Sequence, residues 1–145
     1  MLKDDHRTVD ELFKRYEGAG EGAVEEKRQI RDRVIKELSV HAYIEEEVFY
    51  PATKEARQET EDMVQEAYQE HAQAKQALGQ LAALEPDDPQ FDSVMQQLIA
   101  DVRHHVDEEE NEMFPKVNEA MSPQELSDLG QRLEESKKSA PESPE

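Results

Sequence analysis

The chain of 145 residues has a formal net charge of −19, contains no cysteine and is 37% charged. This length suits one domain with a single core, and the lack of cysteine excludes disulfides, thiolate metal sites and cysteine nucleophiles. The acidic excess disfavours nucleic acid and anionic membranes as partners, and no apolar run approaches the length of a membrane span. The polar start lacks a signal-peptide apolar region, so we expect a cytoplasmic protein.

The first half of the chain predicts two helices. The first covers residues 2–16 and carries His6 on its apolar face. The glycine-rich segment 18–22 breaks it, and a second helix is predicted from about Ala23. Pro51 is expected to end or kink that helix. Its apolar stripe consists of Ile30, Val34, Leu38, His41, Glu45 and Phe49.

The second half repeats this plan. A third helix is predicted from about Thr60, and a fourth begins at Asp88-Pro89, which fits an N-cap followed by a first-turn proline. The fourth helix is expected to stop between Pro115 and Met121. The third stripe consists of Val64, Ala67 or Tyr68, His71, Ala74, Leu78 and Leu81. The fourth consists of Phe91, Met95, Leu98, Val102, His105, Glu109 and Met113.

The C-terminal region predicts one more helix. Ser122 and Glu125 form a capping-box pattern, with Pro123 in the first turn. We expect a short helix over 122–136 and a disordered tail over 137–145. Since no strand-like alternation occurs, the sequence predicts an all-α, up-down-up-down four-helix bundle over 1–121 with a short fifth C-terminal helix.

Two stretches of the sequence repeat each other. HAYIEEEVFYP at 41–51 and HVDEEENEMFP at 105–115 each place a glutamate four residues after a histidine and end on proline. Residues four apart on a helix are neighbours on one face. A further histidine lies on each preceding helix. Two facing hairpins would then direct four histidines and two glutamates into a shared core, toward the end closed by residues 51–59. These six residues are His6, His41, Glu45, His71, His105 and Glu109.

A purely structural helical domain is the alternative to a metal site. Burying two carboxylates without partners would cost several kcal/mol each, which favours a metal. His104, adjacent to His105, should point away from the core. Glu46 and Glu110 are one step off the stripe and are interpreted as solvated, with hydrogen bonding to a ligand as the minority option. Tyr68 is interpreted as core packing, with a phenol beside the metals as the other option.

The number of donor atoms favours two metal ions over one. Six side chains are too many for one structural zinc ion. Four imidazole nitrogens and two bridging carboxylates fill most positions of two six-coordinate ions, and a bridging oxide, hydroxide or water leaves about one open position per ion. Nitrogen and oxygen donors suit iron or manganese, and open positions indicate a small-molecule reactant.

This arrangement resembles the hemerythrin-like, or HHE cation-binding, family over roughly residues 2–118. The resemblance rests on five segments and implies a bundle holding two non-haem iron ions. Under it, the four histidines would be terminal iron ligands, and the two glutamates would bridge together with an oxide or hydroxide. The matching segments are Asp5-His6-Arg7, Glu11-Leu12-Phe13, HxxxE with FYP at 41–51, Glu70-His71, and HxxxE with MFP at 105–115.

The sequence departs from the oxygen carriers of that family at one position. The carriers have a further histidine where this chain has Lys75. The vacancy could be filled by water, Tyr68 or a carboxylate, and simple reversible oxygen carriage becomes doubtful. We therefore expect a protein that binds or processes oxygen, peroxide or nitric oxide. The alternative is a non-enzymatic iron or oxygen sensor or binding module.

Overall fold

A computed structural model describes residues 2–20 and 22–143 of the chain. These residues form helices and turns without any strand, which confirms the predicted all-α class. Met1, Pro144 and Glu145 lie outside the described residues, together with the corresponding ends of the predicted bundle and tail. The α-helices are α1 (Leu2–Gly18), α2 (Val24–Ile44), α3 (Tyr50–Ala56), α4 (Glu61–Ala83), α5 (Pro89–Glu108), α6 (Phe114–Ala120) and α7 (Pro123–Ser139).

Two pairs of these helices are continuous. A π-helical turn at Glu45–Phe49 joins α2 to α3, and a second at Glu109–Met113 joins α5 to α6. Four long helices result, and α1 packs on α2, α4 on α5, α2 on α4, and α1 on α5. These helices form the predicted four-helix bundle. None of the described helices is long and apolar enough to cross a membrane.

Of the two outcomes expected at Pro51, an end or a kink, the end does not occur, and Pro115 also lies within a continuous helix. A proline lacks the N–H that a helix interior needs, and its ring collides with a preceding carbonyl. The π turn widens the helix just before the proline, so that the Tyr50 N–H pairs with the Glu45 carbonyl, five residues back. Pro51 has no N–H to donate to the next carbonyl, that of Glu46. The Tyr68 hydroxyl donates to the Glu46 carbonyl instead, at 3.3 Å.

Local signals set several helix ends as predicted. The Asp88 side chain accepts from the Gln90 N–H at 2.9 Å and caps α5. The reciprocal capping box of Ser122 and Glu125 starts α7. Gly22 has φ 86°, a left-handed conformation that suits glycine in the turn before α2. At its C-terminus α7 extends to Ser139, three residues beyond the predicted boundary.

Apolar packing lies on both sides of the candidate ligands, rather than only at the end opposite residues 51–59 as expected. One cluster contains residues that precede His6 and His71 along the chain and residues that follow Glu45 and Glu109. It also contains Leu129 and Leu133 of α7. The other contains residues from Val9 to Tyr16 and from Ile30 to Val34, with Leu78, Leu81 and the first four turns of α5. The polar centre of the bundle therefore lies between two apolar layers.

Candidate metal centre

The structure brings the six predicted ligands together between these layers. His6 lies on α1, His41 on α2, His71 on α4 and His105 on α5, and each π turn begins with one of the glutamates. Both glutamates are almost fully buried, at 0% and 1% exposure. Five of the six side chains belong to buried residues, and His105 is partly buried.

Each glutamate lies between one histidine from each half of the chain. Glu45 Oε1 is 3.2 Å from Nε2 of both His41 and His71. Glu109 Oε1 is 3.2 Å from His6 Nε2, and its Oε2 is 3.0 Å from His105 Nε2. Two groups of possible ligand atoms result, each with its atoms within 4.8 Å of one another. The first half-site is His6 and His41 with the two glutamates, and the second half-site is His71 and His105 with the same glutamates.

All four histidines are oriented by a carboxylate on a neighbouring helix. His6 Nδ1 donates to Glu110 at 2.7 Å, and His71 Nδ1 donates to Glu46 at 3.1 Å. The interpretation of Glu46 and Glu110 as solvated side chains was therefore wrong, and the minority option applies. His41 Nδ1 donates to Asp5 at 3.0 Å and His105 Nδ1 to Glu70 at 2.6 Å, two contacts that the sequence analysis did not predict.

These contacts set the chemistry of the inward-facing nitrogens. A neutral histidine that donates from Nδ1 presents a lone pair at Nε2. The Nε2 atoms of His6 and His41 lie only 3.1 Å apart, an arrangement that needs a proton or a cation between two lone pairs. Carboxylate partners on the outer nitrogen are also the usual support for metal-bound imidazoles.

In the absence of metal, the buried carboxylates favour the protonated form of His41 and His105. Burial opposes the charged form of His41, but attraction to Glu45 and the hydrogen bond with Asp5 outweigh it and raise its pKa to about 10. Burial likewise opposes a charged His105, yet its contacts with Glu109 raise its pKa to about 9. Burial alone would raise the pKa of Glu45, whereas attraction to His41 holds it well below its ordinary value. Metal binding would therefore release protons.

Among the residues that the structure describes, two buried carboxylate oxygens lack a hydrogen-bond partner. They are Glu45 Oε2 and Glu109 Oε1; the latter lies 3.2 Å from His6 Nε2 without forming a hydrogen bond. An unsatisfied buried acceptor is costly and needs an explanation. Oxygen donors from two shared glutamates and nitrogen donors from four histidines fit a pair of first-row transition-metal ions.

Tyr50 is a further residue of the centre that the sequence analysis missed. Its side chain is fully buried, and its phenol oxygen lies 2.8 Å from Glu109 Oε2, 3.1 Å from His71 Nε2 and 3.2 Å from His105 Nε2. Burial and the neighbouring carboxylates raise the pKa of Tyr50 well above its ordinary value. The phenol beside the candidate ligands is therefore that of Tyr50, whereas Tyr68 packs against the Tyr50 ring with centroids 5.3 Å apart.

The π turn explains why Tyr50 reaches the centre. On a regular α-helix, five residues after Glu45 correspond to a rotation of about 140° away from it. In the π turn the Tyr50 N–H pairs with the Glu45 carbonyl, five residues earlier. The turn is wider than an α-helical turn, so Tyr50 lies on the same face as Glu45, one turn further along the chain. The apolar stripe predicted from the sequence assumed an α-helical period and therefore included Phe49 rather than Tyr50.

The second repeat has Phe114 at the position equivalent to Tyr50. Its ring stacks on His6 with centroids 5.9 Å apart and an interplanar angle of 4°. The first half-site therefore has an apolar ring where the second has a phenol. Lys75, at the position of the missing histidine, contacts Glu46 Oε2 at 2.8 Å and supports a carboxylate that orients His71.

A small cavity reaches the centre from the side of α4 and α5. Its volume is about 50 Å³. All four candidate histidines line it, and Leu38 and Val102 contribute apolar walls. Glu70 and Lys75 lie along the same cavity and are only partly buried. The space suits a ligand of a few atoms.

The C-terminal helix forms an ion pair with a carboxylate that orients one candidate ligand. Lys137 Nζ donates to Asp5 Oδ1 at 2.7 Å, while Asp5 Oδ2 accepts from His41 Nδ1. Burial would raise the pKa of Asp5, but its contacts with His41 and Lys137 lower it. A helix outside the four-helix bundle is thus linked to a candidate ligand.

Comparison with known proteins places these observations in a family. Residues 1–117 match the Hemerythrin HHE cation binding domain. A crystal structure of a hemerythrin HHE cation-binding domain-containing protein from Mycobacterium kansasii matches with a TM-score of 0.76 and 25% identity, over 95% of this chain and 85% of that chain.

Two curated relatives are also similar. A DNA nickase of Nostoc sp. is 30% identical over 122 residues, which cover 84% of this chain and 34% of the relative. An uncharacterized hemerythrin-like protein of Schizosaccharomyces pombe is 25% identical over 138 residues, 94% of this chain and 67% of the relative. The chain therefore spans about a third of the Nostoc protein.

Proposed function

Because the chain belongs to the hemerythrin HHE cation-binding domain family, we propose that it is a non-haem diiron protein that binds or processes oxygen, peroxide or nitric oxide. Its centre would hold iron through His6, His41, His71 and His105, with Glu45 and Glu109 shared between the ions. The bridging placement of the two glutamates carries the proposal, since each lies within 3.2 Å of one histidine from each half-site.

The donor set favours iron over the other candidates. Imidazole nitrogen together with carboxylate oxygen suits iron and manganese, whereas soft thiolate sites are impossible in a chain without cysteine. Raw affinity favours copper or zinc, so the metal found in a purified sample depends on its availability. A phenol beside His71 and His105 adds a hard oxygen donor, which ferric iron accepts well.

Tyr50 would fill part of the vacancy that the missing histidine leaves. Its oxygen lies among the donor atoms of the second half-site, while the corresponding ring near His6 is that of Phe114. The first half-site would then keep the more open coordination position. This refines the expectation from sequence, in which each ion keeps about one open position.

The size and polarity of the cavity support a small, weakly polar ligand. About 50 Å³ is available beside the four histidines, and the walls include Val9, Leu38, Ala74 and Val102. When bound, iron would supply the electrons and Lewis acidity for reaction with oxygen, peroxide or nitric oxide. The protein residues would hold the ions, exclude bulk water and admit only ligands of a few atoms.

The test is rapid-mixing spectroscopy of the anaerobic diferrous protein with oxygen, peroxide and nitric oxide in turn. We expect a reaction with at least one of them and no stable, reversibly released oxygen. The matched variant is Lys75→His, which restores the histidine of the carriers and should favour reversible oxygen binding. A wild-type oxygen adduct that dissociates cleanly at low oxygen pressure would restore the carrier hypothesis.

The second candidate function is a sensor or binding module, and the contact between Lys137 and Asp5 favours it. This contact links α7 to His41, so a change at the first half-site could alter the docking of α7. Hydrogen exchange of α7 in the metal-free, diferrous and oxidised protein distinguishes a sensor or binding module from redox processing. Altered protection of α7 without turnover would support the sensor, whereas turnover with unchanged protection would support redox processing.

A further inference from the structure

A third histidine–glutamate pair lies beside the second half-site. His104 and Glu108 have the same four-residue spacing as His105 and Glu109, one residue earlier on α5. His104 points away from the core as predicted, with its side chain 66% exposed, and its Nε2 lies 2.8 Å from Glu108 Oε1. An exposed pair of this kind is ordinarily a solvated surface contact.

Glu70 distinguishes this pair from an ordinary surface contact. It projects from α4, and its carboxylate, the imidazole of His104 and the carboxylate of Glu108 each offer a ligand atom within 4.8 Å of the others. Glu70 is held in place by His105, whose Nδ1 donates to Glu70 Oε1 at 2.6 Å. The cluster thus has one member that is fixed by the candidate metal centre rather than by the cluster itself.

These side chains form a graded path from solvent to the centre. Side-chain exposure falls from 66% at His104 to 33% at Glu108 and 22% at Glu70. It falls further to 12% at His105 and 1% at Glu109. Glu70 also lines the cavity that the four candidate histidines share. Every step along this path offers a nitrogen or oxygen donor to a cation.

We propose that Glu70, His104 and Glu108 form an outer cation site that captures a divalent first-row transition ion and delivers it to the centre along the cavity. One imidazole and two carboxylates provide the mixed donor set that such ions prefer. The net charge of −19 raises the local concentration of cations at the surface. Delivery rests on the proposed function, whereas the outer site itself does not.

Manganese(II) tests the outer site, because the paramagnetic resonance signal of the free ion is lost on binding. The metal-free full chain is titrated beside His104→Gln, Glu108→Gln and the control Asp107→Asn, which makes the same change of charge as Glu108→Gln at an exposed neighbour. We expect the first two variants to bind one ion fewer per chain than wild type and the control to match wild type. Equal losses in all three variants, or in none, would overturn the site.

Iron(II) uptake tests delivery. Anaerobic uptake by the metal-free chain, followed against a coloured iron chelator, should slow about tenfold in His104→Gln, a loss typical of removing a group that supports a metal site. The final iron content of the centre should be unchanged. An unchanged uptake rate would overturn delivery even if the outer site exists. A centre that binds no ions, with one manganese still lost in His104→Gln, would overturn the diiron proposal while leaving the outer site intact.

Discussion

The two half-sites are built from the same parts but differ in one ring. Each has two inward-facing imidazoles, and both share Glu45 and Glu109. The second half-site has the phenol of Tyr50, whereas the first has the phenyl ring of Phe114 in the equivalent position. Under the proposed function, the repeated parts would hold one ion in each half-site, and the unrepeated ring would make one ion more open than the other.

The outer contacts of the half-sites also differ. In the first, Lys137 of α7 supports the carboxylate that orients His41. In the second, Lys75 supports the carboxylate that orients His71, and Glu70 lies beside an exposed histidine. The first half-site is thus connected to the C-terminal helix, while the second is connected to solvent along α4 and α5. Five experiments test how far this difference goes.

Removal of a shared carboxylate should erase the difference. We expect Glu45→Gln to lose both ions, because each half-site depends on the same two glutamates. His6→Gln should lose mainly the ion of the first half-site. Elemental analysis after gel filtration gives the metal content of each variant. Retention of two tightly bound ions by Glu45→Gln would contradict the bridging role.

Removal of both ions should lower the melting temperature. Each ion present at about 100 times its Kd stabilises the folded state by about 2.7 kcal/mol, so that two ions contribute about 5 kcal/mol. For a chain of this size that corresponds to roughly 15–20 °C. Differential scanning calorimetry of iron-loaded and metal-free protein measures the shift. Identical melting temperatures would exclude a metal site in the core.

The metal-free protein should become less stable as pH rises. The folded-state pKa values of His41 and His105, about 10 and about 9, exceed the ordinary value of 6.5. Their contribution is therefore complete below about pH 6.5 and is lost as pH rises through 9 to 10. Denaturant titrations at pH 6 and pH 9.5 measure it. The iron-loaded protein, in which metal replaces these protons, should depend less on pH over this range.

Either of two single substitutions, Tyr50→Phe or Phe114→Tyr, should make the half-sites alike. If Tyr50 binds ferric iron, the oxidised protein should show a phenolate-to-iron charge-transfer band in its visible spectrum. Tyr50→Phe should remove that band, and Phe114→Tyr should add a second contribution at the first half-site. A visible spectrum that is the same in wild type and Tyr50→Phe would show that the phenol oxygen is not an iron ligand.

The contact with α7 should have the smallest effect. Lys137→Gln leaves Asp5 in place but removes the cation 2.7 Å from its Oδ1. We expect an affinity loss of about threefold to tenfold at the first half-site only, since the support to His41 is weakened rather than removed. Lys138→Gln, at an exposed neighbouring position, is the control. Competition with a chelator measures the affinity of the more weakly bound ion.

The sequence predicted the residues that repeat with helical period. His41 and Glu45 belong to one stripe, and four such stripes determine both the bundle and the candidate centre. Glu46 and Glu110 were misassigned because each lies one step off its own stripe and reaches the histidine of a neighbouring helix. A periodicity calculated along single helices contains no information about that contact.

Tyr50 was missed for a different reason. The stripe assumed an α-helical period, whereas the chain makes a π turn between Glu45 and Tyr50. A signal was available in the sequence, because Pro51 interrupts a pattern that otherwise continues as a helix. A proline within an amphipathic run indicates a local irregularity, and the residues next to it are the ones whose direction changes.

The paired π turns also bear on the history of the chain. Each is an α-helical segment with one additional residue, and the two occur at the same place in the repeated motifs, Glu45–Phe49 and Glu109–Met113. Duplication of a hairpin that already carried the insertion would account for both copies. The difference between Tyr50 and Phe114 would then have arisen after the duplication. On this order of events, a symmetric pair of binding positions came first, and a distinction between them arose later by a change at one ring.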